Sequence, residues 1–315
     1  MRNNLIICVT PLQMLIAEKI ISMNPNVKFY CICYFYDNNE KYKYYIRKLK
    51  DQTFFTFEFL VVSNNKIMRL WDLLKVLMIL KKIKLPKFAT VYFASLDNPF
   101  IQLTLSYTKF SEIITFDDGT ANLWANSLYN KPREISYLQV FFLSLLRVRY
   151  DMDIIKKESK KHYTIFNNSP FLKSKSEKIE LINTSYLKDF VGDKNINIFI
   201  GQPYTDYNFN IFKPKNIKKI MNEFKIDSYF KHPRERVVYN FVEYVETNKI
   251  FEDYIFDLIS NGYNVNIYTF LSTVALTVSG VNNVKIYSIA DDELYAYFQE
   301  VYEIFEKNNV NVLRV

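Results

Sequence analysis

The sequence predicts two α/β domains in tandem, each built on a doubly wound parallel sheet. Three observations predict it. Short apolar runs recur along both halves of the chain and are separated by segments of helical spacing, the pattern of strands joined by crossover helices. The length of 315 residues is large for one core and sufficient for two. Between the halves, "NNSPFLKSKSEKIELINTS" is polar and carries Pro170, as a connection between domains does.

The elements follow in order. Strands are expected at 4–10, 27–36, 57–62, 89–95 and 111–116. Between them "PLQMLIAEKIISM" and "IMRLWDLLKVLMILKKI" space their apolar residues as helices do. Thr10 before Pro11 suits a strand-to-helix junction, with threonine as N-cap and proline at the first helical position. The segment "YLQVFFLSLL" (137–146) is too short to span a bilayer and runs into Arg147 and Arg149; it is read as a buried helix in preference to an amphipathic surface that touches lipid. Residues 151–190 read as the connection, and the domains are drawn as 1–175 and 176–315.

In the second half the alternation resumes with strand "NINIFIG", helix "NIKKIMNEF", strand-like "DSYFKHP" and helix "KIFEDYIFDLIS". Strand "NVNIYTF", a short helix from Ser272, strand "VKIYSI", helix "DELYAYFQEVYEIF" and a last strand "VNVLRV" complete it.

Composition narrows the class. A hydrophobic share of 49% with 23% charged residues fits a globular protein and excludes a disordered one. The net charge of +8 suggests an anionic partner: nucleic acid, a phosphorylated small molecule or a membrane surface. The runs "KKIKLPK" (81–87) and "KKESKK" (156–161) are read as solvated faces. Cys8, Cys31 and Cys33 lie in strand-like apolar runs without a CxxC pair and are expected as reduced thiols. With only two histidines in the chain, no metal site is expected. The start "MRNNLIICVTPLQ" lacks a signal-peptide pattern and no long apolar span occurs, so a cytoplasmic protein is expected.

Ligands of doubly wound sheets bind outside the carboxyl ends of the strands. Polar residues at those ends are therefore the better candidates, and four groups qualify. They are Asp117-Asp118-Gly119, "GQPYTD" (201–206) ending in Asp206, "KHPRER" (231–236) with His232, and "YTFLSTVAL" (268–276) with Ser272 and Thr273. Each has a plainer account: an acidic turn, a loop aspartate, a histidine packed by its proline, a helix cap. On the two-sheet reading all four converge on the cleft between the domains. Hydroxyls and N–H groups at the Ser272 turn would then cradle a phosphate. His232, between Lys231 and Arg234, would support a leaving phosphate, and a carboxylate would take a proton from an attacking hydroxyl. That is the equipment of a transferase with a phosphate-linked donor; neither GxGxxG nor GxxxxGK[ST] is present.

On these residues the chain resembles a known family. "FDDGT.N", "KHYTIF" (161–166), "HP" at 232–233 and "EDYI…YTF.S..ALT" (252–277) are similar to the bacterial lipooligosaccharide α-2,3-sialyltransferases, a glycosyltransferase family with capsule-type members. "LIICVTPLQMLIAEKI" and "VYFASLDN" are similar too, and the likeness runs from about residue 4 to the C-terminus. It implies two Rossmann-like domains facing across a cleft (GT-B). The first would be the acceptor side and the second would bind the CMP-sugar.

The resemblance further implies transfer of sialic acid from CMP-sialic acid, with inversion and without metal or cofactor, to a galactose hydroxyl. His232 would be the acid at the departing phosphate, bound also by Ser272 and Thr273. Gly201, Gln202, Pro233 and Phe270 fall on the donor side. Glu252 would reach the ribose, or be a solvated helix-start carboxylate. Asp118 and Asp206 are rival bases; Asp206 fits loosely, because two residues part it from Pro203. Asp117 and Gly119 would shape the acceptor side. A peripheral membrane contact and a homodimer are compatible with this reading.

Two other readings are weighed. A glycosyltransferase with another nucleotide-sugar donor could hold a metal through Asp151-Met152-Asp153, a DxD match. A nucleic-acid-binding protein would need a basic stripe with interleaved aromatics, and the lysines are scattered instead.

Overall fold

The computed structural model describes residues 2–61, 66–119, 137–166, 171–181, 192–204 and 208–315. The chain divides into two compact units, Met1–Leu181 and Ile182–Val315.

The first unit alternates strand and helix: β1 (Asn3–Cys8), α1 (Pro11–Ser22), β2 (Lys28–Phe35), α2 (Glu40–Gln52), β3 (Phe55–Leu60) and α3 (Lys66–Lys82). It continues with β4 (Phe88–Phe93), α4 (Pro99–Tyr107), β5 (Phe110–Phe116), α5 (Tyr137–Leu145), α6 (Met152–Glu158), β6 (Ser159–Thr164) and β7 (Ser176–Lys178). The strands form one seven-stranded sheet in the order β3-β2-β1-β4-β5-β6-β7, with parallel pairing throughout. The order reverses direction between β1 and β4, which makes their carboxyl ends the switch point.

Both faces of β1 are covered. Leu5, Ile7 and Val9 pack in one core with Leu73, Val76 and Leu77 of α3 and Phe100, Ile101 and Leu103 of α4. Ile6 and Cys8, on the other face, are equally buried. This two-sided burial is why the strands read as continuous apolar runs. Cys8, Cys31 and Cys33 are buried free thiols. Thr10 caps α1 as expected, accepting from the Gln13 N–H with Pro11 in the first turn.

Two expectations need correcting here. Part of the supposed connection is sheet: β6 pairs with β5, and β7 with β6, so the first unit runs on past 175 to Leu181. The polar composition of "SKKHYT" hid a strand whose buried Ser159, His162 and Thr164 find hydrogen-bond partners on β5 and the turn after it. The segment 137–146 is only half core. Phe142 and Leu143 pack inward, whereas Tyr137, Val140, Phe141 and Leu145 are exposed beside exposed Arg147 and Arg149.

The second unit contains β8 (Lys194–Ile200), α7 (Pro214–Glu223), β9 (Ser228–Phe230), α8 (Phe251–Ser260), β10 (Tyr263–Thr269) and α9 (Val274–Thr277). β11 (Val284–Ala290), α10 (Asp292–Tyr297), α11 (Gln299–Lys307) and β12 (Asn311–Arg314) follow. Its five strands are parallel in the order β12-β11-β10-β8-β9, so the switch point lies between β8 and β10. The single helix expected over "DELYAYFQEVYEIF" is two. Phe298, at φ −114° and ψ 29°, leaves helical geometry and buries its ring, separating α10 from α11. Among the described residues no helix is long and apolar enough to cross a membrane.

Candidate active site

In the first unit the chain leaves β5 through Asp117, Asp118 and Gly119, and the two aspartates have different fates. Asp117 is fully buried. A buried carboxylate costs several kcal/mol unless it is paired and hydrogen-bonded. Asp117 is met by His162 Nε2 at 2.9 Å, the Thr164 hydroxyl at 2.7 Å and the Ile165 main-chain N–H at 2.8 Å. All three come from β6 or the residue after it. His162 is itself fully buried, its Nδ1 2.9 Å from the Thr115 hydroxyl and its ring edge-on to Phe171. The oxygens of Asp117 are thus taken up inside the unit, and the residue anchors the turn that carries Asp118.

Asp118 is half-buried. One carboxylate oxygen accepts from Gln13 Nε2, the other from the Ser95 hydroxyl at 2.7 Å. Gln13 is fully buried; its Oε1 accepts the Val9 N–H at 2.7 Å and its Nε2 also donates to Ser95 Oγ at 2.8 Å. The ends of β1, β4 and β5 are thus joined at the switch point through one carboxylate. Ser95 holds a left-handed φ of 47°, a conformation uncommon for a residue with a side chain and the more notable at a site. Gly119 turns the chain at φ 77°, which glycine adopts without strain. A carboxylate accepts protons as well as hydrogen bonds, so Asp118 has the chemistry of a base. Its rival Asp206 lies outside the described residues.

In the second unit, the ends of β8, β9 and β10 and the start of α8 carry the candidates. Past β8, Gly201 is buried because its neighbours press on it: a Cβ there would lie 2.2 Å from Glu235 Oε2 and 2.5 Å from Tyr229 Oη. Gly201→Ala is accordingly expected to destabilise this unit by roughly 1–3 kcal/mol through overpacking. The denaturation midpoint measures it, and an unchanged midpoint would contradict the contact. Gln202 Oε1 accepts the Leu271 N–H at 2.8 Å and so joins the loop after β8 to that after β10. Phe270 is fully buried among Phe199, Tyr204 and Phe212. Although it follows the carboxyl end of β10, its ring turns into this aromatic core and is not donor surface, which corrects the expectation for the side chain.

Ser272 is buried, and its Oγ accepts the Val274 N–H at 3.3 Å, while Thr273 stays half-exposed. Helix α9 spans four residues, so the expected helix-dipole contribution shrinks. Glu252 is 5% exposed in the first turn of α8 and accepts from the Thr277 hydroxyl at 3.3 Å, which overturns the solvated helix-start alternative.

His232 follows β9 on a turn with Pro233, both half-buried. The Arg234 main-chain N–H donates to His232 Nδ1 at 3.1 Å. With Nδ1 an acceptor, the neutral ring carries its proton on Nε2 and offers it as a donor. The turn is closed by Glu235, which donates through its N–H to the His232 carbonyl at 3.0 Å and accepts the His232 N–H at 3.2 Å.

Sequence reasoning passed over three of these residues. His162 carries the only local signal, as a histidine inside "KHYTIF"; Gln13 and Glu235 are polar residues whose burial appears only in three dimensions. The DxD match resolves as capping: Asp151 accepts the Ile154 N–H at 2.8 Å, at the start of α6.

Two doubly wound parallel sheets in tandem, with polar side chains gathered at each switch point, define the GT-B class. The fold is shared with the glycotransferase of kitacinnamycin at 9% identity (TM-score 0.53, 99% of this chain and 86% of that one). It is shared also with S. aureus MnaA, solved with UDP, at 12% identity (TM-score 0.51, 98% and 87%). Within the class the assignment is specific: residues 26–292 match glycosyltransferase family 52, and the chain belongs to that family. It is 34% identical to the N-acetyllactosaminide alpha-2,3-sialyltransferase of Haemophilus influenzae over 90% of each chain. To the CMP-N-acetylneuraminate:beta-galactoside alpha-2,3-sialyltransferase of Pasteurella multocida it is 31% identical over 99% of each. A Neisseria meningitidis N-acetyllactosaminide alpha-2,3-sialyltransferase is 30% identical over 98% of this chain and 85% of its own.

Proposed function

We propose that this protein transfers sialic acid from CMP-sialic acid to a galactose hydroxyl of a bacterial surface glycan, in α-2,3 linkage, with inversion and without metal or cofactor. The names of the family relatives support donor, acceptor and linkage. The observation that carries the chemistry is the His232 turn: Nδ1 accepts the Arg234 N–H, which places the neutral ring's proton on Nε2 as a donor. In this reading the second unit binds the donor. His232 Nε2, with Ser272 and Thr273, stabilises the phosphate as the bond from the sugar's anomeric carbon to the phosphate oxygen breaks and CMP departs. Glu252 serves the ribose. The first unit binds the acceptor. Asp118, preoriented by Gln13 and Ser95, takes the proton of the galactose hydroxyl as its oxygen bonds to the opposite face of the anomeric carbon.

The reading extends to location. Exposed Tyr137, Val140, Phe141 and Leu145 beside Arg147 and Arg149 suit a peripheral contact with an anionic membrane surface, where such glycans are assembled.

Proton NMR of the product formed from CMP-sialic acid and lactose tests stereochemistry and linkage together. An α-linked sialic acid on the galactose 3-hydroxyl is expected. A β-linked product, or hydrolysis of donor with no transfer, would contradict the proposal.

A further inference from the structure

One carboxylate fastens the His232 turn to the rest of the second unit. Glu235 is 5% exposed; its Oε2 accepts the His232 main-chain N–H at 3.2 Å and its Oε1 accepts the Tyr229 hydroxyl at 2.6 Å. Its own N–H holds the His232 carbonyl at 3.0 Å. The same carboxylate and phenol rest directly on the main chain of Gly201, where a Cβ would overlap both. Tyr229 is fully buried, stacked on Phe199, so this contact is rigid on its inner side.

We propose that Glu235, held by Tyr229, is a positioning residue for the transfer reaction: it seats the His232 turn against the end of β8 and so aims the imidazole Nε2. The proposal rests on the reading above that His232 serves the donor phosphate. Glu235 acts through His232 and does not itself touch the substrate.

The charge state of Glu235 gives the arrangement a pH signature. Burial pushes its carboxyl up to about 7, while the Tyr229 hydroxyl, the His232 N–H and Lys231 draw it partly back. The other groups facing it are Tyr204 from the loop after β8 and Tyr239 and Tyr244 beyond the turn. All three phenols, like Tyr229, are pushed up by burial and stay neutral. The ionised carboxylate accepts from both donors at once. The protonated acid can keep both contacts only by donating from Oε1 to the Tyr229 oxygen, and its bond to the His232 N–H then loses its charge assistance. The turn is therefore seated more firmly by the ionised form.

Glu235→Gln and Tyr229→Phe test this by two readouts. In wild type, kcat/KM should rise with pH along a limb centred near 7. Glu235→Gln should abolish that limb and lower kcat about 10²-fold, the scale of a misplaced group, with KM for CMP-sialic acid little changed. Tyr229→Phe keeps the carboxylate and removes a bond that favours its charged form, so the limb should move to higher pH. Because the chain has two histidines, imidazole 15N spectra also report on His232 without any turnover. Glu235→Gln should shift the His232 ring signals and leave those of His162 in place. A wild type without CMP-sialic acid-dependent transfer would defeat the functional reading alone, and the positioning claim would stand or fall on the spectra. Unmoved His232 signals, or in an active enzyme an unmoved limb in both variants, would overturn the positioning role.

Discussion

Replacing His162 by alanine should destabilise the first unit by about 3–5 kcal/mol, the cost of leaving a buried charge without its partner. The residue lies far from any surface and its ring does two things. Nε2 meets the fully buried Asp117 carboxylate and Nδ1 meets Thr115, so the pair joins β5 to β6. Removing the ring also opens a cavity beside Phe171. For a unit of this size the loss corresponds to a fall in Tm on the order of 10 °C. Calorimetry on the full chain measures it. His162→Asn, which returns an N–H donor to the carboxylate, should recover part of the loss. A change below about 1 kcal/mol would show that Asp117 does not depend on the pair.

His232→Ala should lower kcat on the order of 10²–10⁴-fold, the range for loss of a positioned proton donor. The side chain is half-buried and its ring is held through Nδ1, so its removal should leave Tm nearly unchanged. That separation of activity from stability sets it apart from His162. Asp118→Asn should fall in the same range of rate for the opposite reason: an amide cannot accept the hydroxyl proton. Raising the pH should restore neither variant. Full activity of Asp118→Asn would leave Asp206 as the base.

The strands were legible because two-sided burial writes itself as apolar runs; β1, β2, β4 and β5 fall within about two residues of their expected places. Strand β6 was not, since its two lysines stand side by side and its buried positions include polar Ser159, His162 and Thr164. Helix α5 misled in the other direction, because apolar composition is silent on whether a face is covered. At the site, strand-end polarity picked out Asp118, His232, Ser272 and Thr273. It could not distinguish Asp117 from Asp118, adjacent letters of which one meets a buried histidine and the other Gln13 and Ser95 at the switch point. Nor could it find Gln13 or Glu235, whose roles come from partners on other elements. Phe270 matched a motif by letter, but its ring belongs to the core.

The central claim is that the chain is a CMP-sialic acid-dependent transferase working through His232. CMP release from CMP-sialic acid should be followed with and without lactose, with and without EDTA, in wild type and His232→Ala. Lactose-dependent release that survives EDTA and collapses in the variant is expected. Release that EDTA abolishes, or that the variant retains in full, would contradict the claim.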